Sequence, residues 1–95
     1  LVVIYAQASI KYAKKVTDDL ADGDALKARI HQAEGYAFWR VLAPMVASAG
    51  ADVAAVDAYY ELSAEPAAGG GDLVADALAP ALDALGITAA ELGEY

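Results

Sequence analysis

The chain has 95 residues, 59% of them hydrophobic, no cysteine, and a net charge of −8 from 14 acidic and 6 basic side chains. That length predicts one domain. The charge argues against a nucleic-acid partner, which needs a basic face to replace counterions, and against docking on anionic lipid. Without cysteine there are no disulfides and no thiolate metal sites.

Much of the hydrophobic content is alanine, the best helix former and a poor source of buried area per residue. The composition therefore favours closely packed helices over a bulky core. The alternation of a half-buried strand is missing over any useful length. No apolar run approaches the roughly 18–20 residues of a membrane span. The opening Leu1-Val2-Val3-Ile4 is too short for a signal-peptide core and lacks a basic flank. There is no initiator methionine, so the chain reads as a mature piece or a segment of something longer. The basic residues are Lys11, Lys14, Lys15, Lys27, Arg29 and Arg40, and beyond Arg40 every charge is acidic.

A first helix is predicted from about Ile4 to Ala21, with Tyr5, Ala8, Tyr12, Val16 and Leu20 on one face. Gly23 suits a left-handed cap. A second helix starts after Asp24 as N-cap, with Leu26, Ile30, Ala33, Ala37, Val41 and Met45 as its buried stripe and Phe38 and Leu42 widening it. Gly35 inside that helix points to close packing by a neighbouring helix, and Pro44 to a kink or an end. Asp52 caps a short third helix in which Val53, Val56 and Tyr60 share a face. Residues 65–71, ending in three glycines, are expected to form a flexible loop, and Asp72 to cap a fourth helix that Pro80 kinks or splits into two short pieces and Gly86 stops. Thr88 and Glu91 form a capping box opening a last single turn. The expected fold is all-α, a compact bundle of about four helices plus a short C-terminal helix.

Catalytic signals are weak. There is one histidine, no nucleophile elbow, and no lysine or strand beside Gly69-Gly70-Gly71 to make a phosphate loop. The reading is non-enzymatic. His31 and Glu34 lie three residues apart and project from one helix face, and imidazole with carboxylate suits iron, manganese or zinc. The same pair also reads as an exposed polar face, or as a histidine hydrogen-bonded at a helix contact. Hard cations want about six donors. A third ligand is therefore sought on the first helix among Tyr12, Asp18 and Asp22, or on the third among Asp57, Tyr59 and Glu61. Of these, Asp57 joins His31 and Glu34 as the candidate metal set. The six tyrosines, including Tyr5, Tyr12, Tyr36, Tyr59, Tyr60 and Tyr95, supply either phenolate donors or core side chains with a hydroxyl to satisfy. Arg40, beside Phe38 and Trp39, is expected in a register-fixing ion pair with a carboxylate from another helix, or stacked on an aromatic ring.

Residues 5–16 (YAQASIKYAKKV) and 31–44 (HQAEGYAFWRVLAP), with 59–63 (YYELS) and 85–93 (LGITAAELG), resemble the algal low-iron-inducible periplasmic proteins, or iron-assimilating proteins. The most specific part is AEGYAFWR at 33–40. The resemblance spans nearly the whole chain. It implies a secreted or periplasmic helical protein tied to iron acquisition, with the domain often repeated along a longer chain. Within the motif it points to Glu34 and Arg40, with His31 beside them. The leading expectation is an extracytoplasmic, non-enzymatic module that binds iron or another hard cation. The alternative is a structural or scaffolding domain that packs against sister domains or a partner protein.

Overall fold

A computed structural model of the chain describes residues 1–92. Its elements in order are α1 (Val2–Ala21), α2 (Ala25–Ala47), α3 (Val53–Tyr60), α4 (Gly70–Ala84) and the single turn α5 (Ala89–Leu92). The all-α bundle of four main helices and one short one follows the sequence expectation, and no strand occurs among the described residues. Nor is any helix among them long and apolar enough to cross a membrane.

Local chemistry sets the boundaries. Gly23 turns the chain out of α1 at φ 74°. Asp24 then caps α2, its carboxylate accepting from the Lys27 amide at 3.0 Å, and Asp52 does the same for α3 through the Ala55 amide at 3.3 Å. The capping box is reciprocal: the Glu91 amide donates to Thr88 Oγ1 at 3.1 Å, and the Thr88 amide to Glu91 Oε1 at 3.2 Å. α1 and α2 run antiparallel along most of their length and form one layer; α3 and α4 close the other side, and Gln7 ties α5 to α1 through the Leu92 carbonyl.

Three expectations are corrected. Neither proline ends or splits its helix: Pro44 lies inside α2 and Pro80 inside α4. Each ring is exposed, so the carbonyl four residues back is left to solvent instead of to the core. The supposed glycine loop ends at Gly69, which takes φ 82° as N-cap; Gly70 and Gly71 are buried in the first turn of α4. A β-carbon on Gly70 would overlap the Tyr59 ring, and one on Gly71 would meet Lys14 Cγ at 2.6 Å. These two glycines admit neighbours, and Asp72 sits inside the helix instead of capping it.

The third correction concerns α2. Leu26, Ile30 and Val41 are 73%, 48% and 48% exposed, Ala33 and Ala37 are exposed, and Met45 is half-buried. The core takes Ala28, Gln32, Gly35, Trp39, Leu42 and Val46 instead. At about 100° per residue the two lines lie on opposite sides of the helix. Both are apolar, so periodicity alone could not choose between them. The largest side chain and the only glycine decide it: Trp39 contributes the most buried area, and Gly35 lets α3 approach. Gln32 is tolerated inside because it is satisfied, donating to the Glu61 and Ala64 carbonyls at 3.2 Å each and accepting from Arg29 at 2.9 Å. On α1 the buried line is similarly shifted, to Ala6, Ser9, Ile10, Ala13, Val16 and Asp19, while Tyr5, Tyr12 and Leu20 are half-buried at its edge.

Candidate functional site

The first polar cluster lies in the seam between α1 and α2. Tyr5, Tyr12 and Asp19 follow one another at seven-residue steps, two helical turns each, and so line one edge of α1. The antiparallel α2 brings His31 and Phe38 against that edge. His31 Nδ1 stands 2.5 Å from Asp19 Oδ2, with side chains only 16% and 9% exposed. In the neutral ring the proton therefore sits on Nδ1 and is donated to Asp19. Tyr12 stacks on Phe38 at 5.5 Å between centroids, lies 5.9 Å from the His31 ring, and carries the Lys15 ammonium 5.7 Å above its centre. Partial burial raises the Tyr12 pKa, and the Glu34 carboxylate beside its hydroxyl raises it further by charge and hydrogen bonding. The tyrosine stays a neutral donor toward Glu34.

The candidate metal residues are thus divided. His31 and Glu34 share this seam. Asp57, on α3, lies at the other flank of α2, where its Oδ1 accepts from the Trp39 indole at 2.7 Å. Among the described residues no three histidine, cysteine or carboxylate side chains gather where they could hold a metal ion. Asp19, not Asp18 or Asp22, is the acid that reaches His31. Its seven-residue spacing from Tyr12 puts it on the same edge of α1, and the rotation of α1 in the bundle turns that edge to His31. Tyr95 lies outside the described residues.

The second feature is a groove of about 330 Å³ between the C-terminal half of α2 and α3. Trp39, 1% exposed, forms its floor, and the small side chains Ala43 and Ala47 with Val53 leave it open. Arg40 stands at the rim, its guanidinium 5.6 Å from the Tyr36 ring centre. It makes no ion pair among the described residues, so the aromatic contact is the one formed. The arginine that fixes register is Arg29, which sequence reasoning missed. Its Nη1 donates to the Leu62 and Ala64 carbonyls at 2.9 and 2.8 Å, and its Nη2 lies 4.0 Å from Glu65. It closes the α3–α4 loop onto α2.

The third feature is the outer face of α2, where Leu26, Ile30, Ala33, Ala37, Val41 and Pro44 form a line open to solvent. A helix that is apolar on both sides is usually covered on both. The charge around it is segregated. All six basic residues lie on α1 and α2, whereas every charge described from α3 onward is acidic.

No known family, curated protein or solved structure matches the chain.

Proposed function

We propose that this chain is a non-enzymatic helix-packing module that works through the outer face of α2. One observation carries the reading: Leu26, Ile30 and Val41 stay 73%, 48% and 48% exposed on a helix whose opposite side is the core. Covering those side chains is worth about 1 kcal/mol each. Ala33 and Ala37 between them let a second helix come close. The test uses a synthetic helix of about 20 residues, long enough to run along α2, with a leucine–alanine seam and glutamine elsewhere. Titrated calorimetrically into the chain, it binds with a negative heat-capacity change. Ile30→Glu with Ala37→Glu abolishes binding without lowering the melting temperature, because both positions face solvent. Equal binding by the variant, or none by the wild type, contradicts the reading.

A second reading, iron association in an extracytoplasmic protein, is supported by the resemblance and by Tyr12, Asp19, His31 and Glu34 lining one seam. The donors already satisfy one another in pairs, so iron would have to break the Asp19–His31 contact and draw Glu34 from Tyr12. The geometry favours the packing module for that reason. Ferrous and ferric titrations of wild type and Glu34→Ala test it: saturable binding that the substitution weakens supports iron, and identical weak heats oppose it.

A further inference from the structure

We propose that a second surface, on α4 and α5, docks a basic amphipathic helix of a partner protein, which sets one apolar side chain into the groove between them. This groove, of about 210 Å³, is lined by Ala75, Ala79 and Leu82 of α4, by Ile87, and by Leu92 of α5. Ala75, Ala79 and Leu82 follow one another at four- and three-residue steps, so they form one line along α4. Leu82 and Leu92 are each 7% exposed and make the floor. The two alanines leave the space that a leucine or methionine side chain fills, the usual helix-in-groove mode.

Charge chooses the occupant here. Asp76 and Asp83 stand seven residues apart beside that line, about 10 Å along the axis, and both are exposed. Neither forms an ion pair among the described residues. Glu91 stands at the α5 end, its Oε1 held by the Thr88 hydroxyl. Asp83 also lies in the last turn of α4, which carries no base. The carbonyls at that helix end are partly negative, so acid and dipole add instead of cancelling. The basic side chain on the border is Lys11, which α1 places between Gln7, bonded to Leu92, and Lys14, packed on Gly71. The carboxylates of Asp76, Asp83 and Glu91, with a helix C-terminus, thus face one ammonium. Such a rim repels anionic lipid and the same face of a second copy. Lysine or arginine beside a partner's apolar position meets it favourably.

The experiment uses a synthetic helix of about 20 residues with a single central leucine, lysines spaced to meet Asp76 and Asp83, and alanine and glutamine elsewhere. One leucine offers the α2 face no continuous seam. In one control glutamine replaces the leucine, and in another glutamate replaces the lysines. Each is titrated into the 95-residue chain, with affinity and amide chemical shifts followed together and the chain alone sedimented alongside. The lysine–leucine helix binds at least about tenfold tighter than either control at low salt, with shifts gathered on Ala75, Ala79, Leu82 and Ile87. Its affinity falls at about 0.5 M salt. Asp76→Asn with Asp83→Asn weakens it about tenfold without lowering the melting temperature, because both side chains are exposed. Equal binding by the glutamine control reduces the surface to a diffuse acidic patch and overturns the inference. No binding, shifts centred on α2, or stable self-association of the chain overturns it as well.

Discussion

Tyr60 on α3 closes directly onto Gly35 on α2: a β-carbon built on that glycine would stand 2.5 Å from Tyr60 Cε1 and 2.6 Å from its hydroxyl oxygen. The tyrosine is fully buried, and its hydroxyl donates to the Ser9 carbonyl of α1. One side chain thus joins three helices, and the glycine makes room for it. Gly35→Ala should destabilise the fold by about 1–3 kcal/mol through overpacking, despite alanine's better helix propensity, and Gly35→Leu by more. Urea unfolding measures this. In a Tyr60→Leu background the cost of Gly35→Ala should shrink, because the clashing ring is gone.

The Trp39–Asp57 bond gives a second test. Trp39 is nearly sealed from solvent, so its indole N–H depends on that carboxylate. Asp57→Ala should cost about 1–3 kcal/mol by stranding a buried donor. Asp57→Asn, which retains an acceptor oxygen, should cost less. Tryptophan emission reports the same ranking, with the larger shift for alanine.

Tyr59 and Tyr60 make the fold sensitive to alkali. Burial pushes the Tyr59 hydroxyl up to about 12 and raises that of Tyr60 as well. The unfolded chain releases these protons near pH 10, and the folded chain holds them longer. Stability is therefore complete below about pH 10 and declines as pH rises from there toward 12. Melting temperatures followed from pH 8 to 12 should be flat and then fall. Tyr59→Phe should soften the fall, because one of the tyrosines with a raised pKa is removed.

The Asp19–His31 contact is a structural tie in this account. Asp19→Ala leaves a largely buried imidazole without its acceptor, which should cost about 1–3 kcal/mol in denaturant titration. Glu34→Ala, at an exposed position, should cost less than about 0.5 kcal/mol. If the two substitutions cost the same, the seam is not organised around Asp19 and His31.

Local features were legible in the sequence because their partners lie within a turn. Asp24, Asp52 and the Thr88–Glu91 box cap the helices they were expected to cap. Gly35 announced a close approach, though not that Tyr60 makes it. The inward face of α2 was illegible for a physical reason. Its two opposite lines are comparably apolar, and the deciding contacts come from α3, far along the chain. Gly70 and Gly71 read as flexible because Tyr59 and Lys14, which pack on them, are distant in sequence. The polar seam was half visible: the His31–Glu34 spacing showed, while the α1 edge that brings Asp19 depends on how α1 is rotated in the bundle.

The most direct test of the packing face is chemical-shift mapping on the isotopically labelled chain, titrated with the uncharged glutamine-rimmed helix. The account predicts that perturbations gather on Leu26, Ile30, Ala33, Ala37, Arg40 and Val41, with the acidic outer surface of α4 at Leu73, Asp76 and Asp83 unchanged. Perturbations centred on α4, or none on α2 at saturating peptide, would contradict it.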